Sequence, residues 1–321
     1  MGYKIADSAS IQGKTILGKG AYISQGARLR AMDQPIWIGG QSMVLENSVV
    51  VGSNQFPSSV GEKTVFGHQC IVLGSKIGNL CEIGNRTIFM PGVMMGDRCI
   101  TGEGTLIPTG MQVPDDSVLV GRPARILRKL TPKDIEMIRN MRGGDLSLGS
   151  VETYSFSNPI KGEAMGKLYS YKDKYPSIGE GTYLADDAEV TGDVIIGKNS
   201  IIGAGARIIG DGHGPVVIGD NVQILENCVL HLLPGNKLVI KDNVVIGPGA
   251  IVHGSFIGQG TVIESGALVC DDSQIGENCL IKAGSLVKQR SLFESQSIIE
   301  GFPAKMTGTL LGTVEKPAWA Y

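Results

Sequence analysis

Residues 77–88 consist of two six-residue blocks, Ile77-Gly78-Asn79-Leu80-Cys81-Glu82 and Ile83-Gly84-Asn85-Arg86-Thr87-Ile88. Similar blocks recur in the second half of the chain, for example over residues 257–268. A period of six matches neither an α-helix, which repeats about every 3.6 residues, nor a simple alternating strand. One block cannot bury its apolar side alone. Neighbouring blocks must therefore stack into a solenoid, with about eighteen residues in each three-sided coil.

The two halves of the chain match one another at a single constant offset in sequence number. Leu45-Glu46-Asn47 recurs as Leu225-Glu226-Asn227, and Gly121-Arg122-Pro123-Ala124-Arg125 recurs as Gly301-Phe302-Pro303-Ala304-Lys305. A tandem duplication is the simplest cause. The sequence therefore predicts an all-β solenoid in two tandem copies. We place the first repeat domain with its terminal helix at 1–143, a linker at 144–175 and the second repeat domain at 176–321.

A short α-helix is predicted at the end of the first copy. Thr131-Pro132 supplies a hydroxyl cap followed by proline, and Ile135, Ile138 and Met141 have amphipathic spacing. Gly143-Gly144 ends the helix. Residues 144–175 are rich in Ser, Gly and Tyr and contain no six-residue repeat, which indicates a linker that crosses a surface.

The composition restricts the classes of function. The chain has 29 Lys and Arg residues against 31 Asp and Glu residues, so neither nucleic acid nor an anionic membrane is indicated as a partner. The amino terminus has no leader-like pattern, and no apolar run reaches about eighteen residues, which predicts a cytoplasmic protein. The six cysteines include no C-x-x-C pair and are expected to be buried and reduced. A small-molecule substrate, or a second copy of the chain, fits these properties.

Three of the four histidines occupy informative positions in the repeat. His231 and His253 each stand second in a hexad. Their separation equals one coil plus the loop Leu233-Pro234-Gly235-Asn236, so we expect both on the same side of adjacent coils, about 4.8 Å apart in the backbone. Two such imidazoles can bind one metal ion. His68 lies in the first copy where the second has Pro248. It is expected to point around a corner towards a neighbour.

The second copy resembles the gamma-class carbonic anhydrases, a family of hexapeptide-repeat proteins. The resemblance rests on Gly210-Asp211, on residues 225–231 and on residues 246–254, within a repeat pattern that covers roughly residues 1–128 and 176–306. It implies a left-handed parallel β-helix. It also implies a zinc or iron ion held by two histidines of one subunit, at the positions of His231 and His253, and by a third from the adjacent subunit.

Each copy lacks part of this family set, and the losses are complementary. The first copy has only His68 of the three histidines, whereas the second has His231 and His253. The family's interfacial arginine and aspartate survive as Arg30 in the first copy and Asp211 in the second. We therefore predict one composite metal site between first-copy and second-copy faces.

The resemblance implies reversible hydration of carbon dioxide to bicarbonate at this site. A bound zinc or iron ion could lower the pKa of its water to about 7 and so generate a hydroxide nucleophile. Arg30 and Asp211 would hold the interface together. Gln223 is the nearest polar candidate for orienting the water, although the family's glutamine matches Leu225. His213 is an insertion relative to the family and could carry protons or contact substrate.

Two other functions are compatible with the sequence. Many hexapeptide proteins transfer acyl groups from coenzyme A, with a base such as His253 or His213, but neither solenoid contains a long acceptor-binding loop. Alternatively, the chain is a structural or binding homologue with an inactive site, which Leu225 in place of glutamine supports. Because family members form trimers, we expect a homo-oligomer, with the composite site either within one chain or between chains.

Overall fold

A computed structural model describes residues 2–53, 55–150, 152–160, 165–211 and 214–321. The described residues form β-solenoid coils, about 16 turns in all, and one short helix. It divides into two compact units, Met1–Ile160 and Lys161–Tyr321. The predicted fold class is confirmed: two tandem left-handed parallel β-helix domains, with a short α-helix after the first.

The strands of the first unit form two hydrogen-bonded sheets around its coils. In pairing order, the strands of the first sheet are Tyr3–Ile5, Ala21–Ile23, Met43–Val44, Val65–Phe66, Glu82–Ile83, Ile100–Thr101, Ser117–Gly121 and Ala124–Lys129. The strands of the second are Leu106–Ile107, Ile88–Phe89, Ile71–Leu73, Val49–Gly52, Arg28–Ala31, Ser10–Gly18, Ile36–Ile38, Ser59–Val60, Lys76–Ile77, Met94–Met95 and Gln112–Val113, with Thr153–Asn158 beside Ser10–Gly18. The long strand Ser10–Gly18 turns a corner and so joins two faces of the solenoid.

The second unit repeats this arrangement. In pairing order, its larger sheet contains Leu286–Val287, Leu268–Val269, Ile251–Val252, Val229–Leu230, Arg207–Gly210, Tyr183–Gly192, Ile201–Ile202, Gln223–Ile224, Val245–Ile246, Val262–Ile263, Leu280–Ile281, Ser297–Gly301 and Ala304–Thr309, with Met165–Tyr169 beside Tyr183–Gly192. The smaller sheet contains Ser177–Ile178, Val194–Ile196, Val216–Ile218, Leu238–Ile240, Phe256–Ile257, Gln274–Ile275 and Leu292–Phe293. Ile71 pairs with Val49 in the first unit and Ile251 with Val229 in the second, so the strand register also repeats at the offset seen in the sequence.

The hexad pattern follows from how coils stack. The first residue of a block points inward, and on one face Leu17, Ile38, Val60, Ile77, Met95 and Val113 form a buried column. The second residue stands at a corner where the next coil passes close by. A Cβ on Gly78 would lie 2.5 Å from the backbone of Gly96, which explains the need for glycine there. The fourth residue turns the chain, as Leu80 does with a φ of 57°.

The helix of the first unit spans Pro132–Met141. Thr131 caps it as predicted: its hydroxyl accepts a hydrogen bond from the Asp134 N–H, and the Asp134 carboxylate accepts one from the Thr131 N–H. Ile138 is buried, and Arg142 forms a buried ion pair with Glu82 on the adjacent sheet. The helix is thereby fixed to one face of its own solenoid.

The segment predicted as a linker contains regular structure on both sides of the unit boundary. Residues 153–158 form an antiparallel strand on Ser10–Gly18 of the first unit, and residues 165–169 pair with Tyr183–Gly192 of the second. The boundary between the units therefore falls between residues 160 and 161, inside the predicted linker. All six cysteines are free thiols. None of the described residues belongs to a helix that is long and apolar enough to span a membrane.

Candidate metal centre

His231 and His253 lie on adjacent coils of the second unit. Each follows a short strand, Val229–Leu230 or Ile251–Val252, and these strands pair in register. The His231 N–H donates to the Val252 carbonyl at 3.2 Å. The two imidazole centroids are 5.9 Å apart, with their planes at 78°. The extra loop between the coils adds residues without shifting the register, and so the two rings remain neighbours.

Each ring of this pair has a carboxylate against one of its nitrogens. Asp211 Oδ2 lies 3.2 Å from Nε2 of His231. Asp271 Oδ2 lies 3.4 Å from Nδ1 of His253. A carboxylate behind a histidine fixes the tautomer and the ring orientation, and it leaves the other ring nitrogen as a potential ligand. The ring nitrogens on the side away from these carboxylates are Nδ1 of His231 and Nε2 of His253.

His68 has the same kind of partner in the first unit. It stands at a coil corner after the strand Val65–Phe66, where its N–H donates to Asn85 Oδ1 at 2.6 Å. Its Nδ1 lies 2.7 Å from Glu46 Oε2, and its side chain is 55% exposed. A hydrogen bond from the Ser24 hydroxyl, with a smaller contribution from His68, holds the pKa of Glu46 below its usual value. Glu46 is therefore an ionised acceptor near neutral pH, and it lies against Nδ1 of His68, so Nε2 is the nitrogen away from this carboxylate.

The remaining predicted site residues are Arg30, Asp211, Gln223 and His213. Arg30 is fully buried within the strand Arg28–Ala31, and Asp211 follows the strand Arg207–Gly210 of the other unit, so their pairing stays a prediction. Gln223, predicted to orient a water, instead uses both side-chain polar atoms on the main chain of Tyr321, at 3.0 and 2.9 Å. His213 lies outside the described residues.

Among the residues that the structure describes, neither unit assembles a complete ligand set. Among residues 2–53, 55–150, 152–160, 165–211 and 214–321, no three His, Cys, Asp or Glu side chains are grouped so that they could hold a metal ion. The second unit contributes two imidazoles with acidic partners, and the first contributes one. A metal bound at His231 and His253 would need a further ligand from elsewhere.

Sequence reasoning missed two of the acidic partners, although the coil length would have located them. Asp271 stands one coil after His253. Glu46 stands one coil and one loop before His68, at the same corner of the preceding coil. In a solenoid, residues one coil apart are neighbours in space even though they are distant in sequence. A search of the positions one coil away from each histidine would have found both carboxylates.

Comparison with known proteins agrees with the solenoid geometry. The model for bacterial transferase hexapeptide (six repeats) matches residues 175–210 and 254–289. The chain belongs to the hexapeptide-repeat superfamily of left-handed β-helix proteins. Among curated relatives, it is similar to gamma carbonic anhydrase 2, mitochondrial, of Arabidopsis thaliana, at 32% identity over 180 residues, which cover 53% of this chain and 65% of that protein.

Two further relatives match shorter parts of this chain. The carbonic anhydrase of Geobacillus kaustophilus is 40% identical over 90 residues, which cover 28% of this chain and 49% of that protein. A solved structure of a hexapeptide transferase family protein from Anaplasma phagocytophilum is 30% identical, with a TM-score of 0.43, and the match covers 45% of this chain and 85% of that chain. The chain spans about half to two thirds of the length of these carbonic anhydrase relatives.

Proposed function

We propose that this protein is a gamma carbonic anhydrase-like metalloprotein that hydrates carbon dioxide reversibly, with His68, His231 and His253 as the metal ligands. The observation that carries the proposal is the acidic partner of each histidine, at 2.7, 3.2 and 3.4 Å. Histidines that ligate metals usually hold a carboxylate or carbonyl on the nitrogen that does not bind the metal. Similarity to carbonic anhydrases supports the same assignment.

The donor set fits zinc or iron. Three neutral imidazoles make a common catalytic zinc site, in which a fourth position stays open to water. Zinc or iron bound there would supply Lewis acidity that makes water a nucleophile near neutral pH. Glu46, Asp211 and Asp271 would each face the ring nitrogen that does not bind the metal and so fix the rotation of the ring. Carbon dioxide and bicarbonate are the proposed substrate and product.

The site would be composite, because its ligands come from both units. We propose that a first-unit face and a second-unit face meet to complete it, either within one chain or between chains of a homo-oligomer. Asp211 would act there as the carboxylate partner of His231. Arg30, from the first unit, would pair with Asp211 across the interface. His213 and Gln223 stay candidates for proton transfer and for water orientation. Gln223 would first have to release the main chain of Tyr321.

The test is metal content, measured by elemental analysis of protein purified without a histidine tag. We expect about one zinc or iron per chain in the natural protein, and loss of most of it in His68→Ala and in His253→Ala. Lys76→Ala, an exposed change in the first unit, is the matched control and should keep the metal. Stopped-flow hydration of carbon dioxide should follow metal content across the four proteins. Absence of stoichiometric metal from the natural protein would overturn the proposal.

A further inference from the structure

Asp271 is the buried group next to the candidate ligand His253. Its side chain is 9% exposed, and its Oδ2 lies 3.4 Å from Nδ1 of His253, a buried nitrogen that makes no hydrogen bond of good geometry with the described residues. Asp271 sits one coil beyond the histidine, after the strand Leu268–Val269 that pairs with Ile251–Val252. The stacking of coils therefore places this carboxylate beside the imidazole.

The loop that separates His231 from His253 holds the other oxygen of Asp271. Oδ1 accepts a hydrogen bond from the Leu233 N–H at 3.1 Å and one from Asn236 Nδ2 at 3.4 Å. The same Asn236 amide donates to the Gly254 carbonyl at 2.7 Å, directly after His253. With Oδ1 fixed by two donors on the loop, the carboxylate cannot rotate freely, and Oδ2 stays directed at the ring.

The first unit supplies an internal comparison. Its coils have the same register and its loop has the same length, but the equivalent positions are Leu73 for the histidine, Pro91 for the carboxylate and Phe56 for the amide. All three polar groups are thus absent together in the copy that lacks this histidine.

We propose that Asp271, held by Leu233 and Asn236, is a positioning residue for His253. Its Oδ2 is placed to accept the Nδ1–H of the neutral imidazole, which would keep the lone pair of Nε2 available for a metal ion. The metal part of this assignment rests on the proposed function, whereas the control of the tautomer does not. The loop residues 233–236 thereby gain a role beyond connecting two coils.

The test is Asp271→Asn, with nitrogen-15 NMR of the His253 ring in metal-free protein. An asparagine can keep its oxygen on the Leu233 N–H and present its NH₂ group to Nδ1, which then cannot carry a proton. We expect the proton of His253 to move from Nδ1 to Nε2. Asp272→Asn, at the neighbouring aspartate that contacts Gln289 and Arg290, should leave the His253 signals unchanged. Retention of the Nδ1–H form in Asp271→Asn would overturn the proposal.

Zinc affinity gives a second readout, measured by competition with a chromophoric chelator. Asp271→Asn should weaken zinc binding about 10- to 100-fold, the usual effect of removing a carboxylate behind a histidine ligand. Asn236→Ala keeps the carboxylate but frees it, and should weaken binding less. If the natural protein bound no zinc, the proposed function would fail while the NMR result would still decide the role of Asp271. Unchanged affinity in Asp271→Asn would contradict the positioning role.

Discussion

Single residues at the corners determine how each coil closes. Asn243 is an exposed corner residue of the second unit with a φ of 59°, in the left-handed region that glycine and asparagine tolerate best. Its N–H donates to the Asp220 carbonyl of the preceding coil at 3.0 Å. The corner conformation is therefore imposed by coil stacking, and the residue type must suit it.

We expect Asn243→Ala to lower the free energy of unfolding by about 1 kcal/mol, because a Cβ without a local polar partner disfavours positive φ. Asn243→Gly, at the same position, should change it by less than about 0.5 kcal/mol, because glycine adopts positive φ without steric cost. Urea unfolding followed by circular dichroism measures both. Equal losses in the two variants would show that the side chain, and not the backbone conformation, matters there.

The buried thiol of Cys228 makes the free energy of unfolding depend on pH. Burial raises its pKa from 9.0 to about 12. In the unfolded chain this thiol ionises above pH 9 while the folded one stays protonated, so stability is lost as pH rises from about 9 to 12. We expect the stability advantage of the natural protein over Cys228→Ala to shrink by about 1.4 kcal/mol between pH 8 and pH 10. Urea unfolding of both proteins at the two pH values measures it, and a constant difference would contradict it.

At the candidate site, the sequence was informative about spacing and silent about hydrogen bonds. The interval between His231 and His253 indicated that they are neighbours, because a solenoid converts sequence distance into coil number. The partners of Gln223 could not be inferred in this way. They belong to Tyr321, in a segment outside the repeat, where no period relates sequence position to place.

Among the elements, the helix Pro132–Met141 depends on one charged contact at its carboxyl end. The Arg142 guanidinium donates to the Lys63 carbonyl at 2.7 Å and pairs with Glu82, and both partners of this ion pair are largely buried. Burial raises the pKa of Glu82, and the Arg142 charge opposes that shift. Glu82 without the arginine would be a buried carboxylate with no counter-charge.

We therefore expect Arg142→Ala to lower the free energy of unfolding by about 3 to 5 kcal/mol, the usual effect of removing one partner of a buried ion pair. Arg139→Ala, on the exposed side of the same helix, should change it by less than about 0.5 kcal/mol. Thermal and urea unfolding of the two variants measure this difference. A small effect of Arg142→Ala would show that Glu82 finds another donor or becomes protonated at little expense.

The predicted linker contains strands that a search for the six-residue period does not detect. Residues 153–158 read Thr-Tyr-Ser-Phe-Ser-Asn, an alternation of larger and smaller side chains that is typical of a strand. The strand runs antiparallel to Ser10–Gly18, with Phe156 5.2 Å from the ring of Tyr3. An antiparallel strand on the outside of a solenoid has no need of a hexad. The absence of the repeat therefore indicated a change of pairing, not a lack of structure.

At the scale of the whole chain, the period of six predicted the architecture well, because each block has the same inward position in every coil. Each unit has a continuous apolar core of its own, containing for example Phe66 and Phe89 in the first and Ile224 and Leu230 in the second.

Separate expression of residues 1–160 and 161–321 tests whether each unit folds independently and whether the metal site is composite. Because each piece retains its own core, we expect each to show a cooperative unfolding transition. Under the composite-site proposal neither piece alone retains metal through gel filtration, and mixing the two restores part of the binding. Tight zinc binding by residues 161–321 alone would contradict the composite site and would assign the ligands to one unit.

The two antiparallel hairpin strands, Ala124–Lys129 and Ala304–Thr309, cover the last rung of one sheet in each solenoid. A parallel stack would otherwise end in unsatisfied backbone groups that can template the addition of another molecule. A reversed strand pairs with that rung but presents an edge of the wrong polarity for continued parallel growth, and in the first unit it also carries Arg125, Arg128 and Lys129. We therefore expect these strands to oppose the addition of further β-rich chains at the rung that they cover.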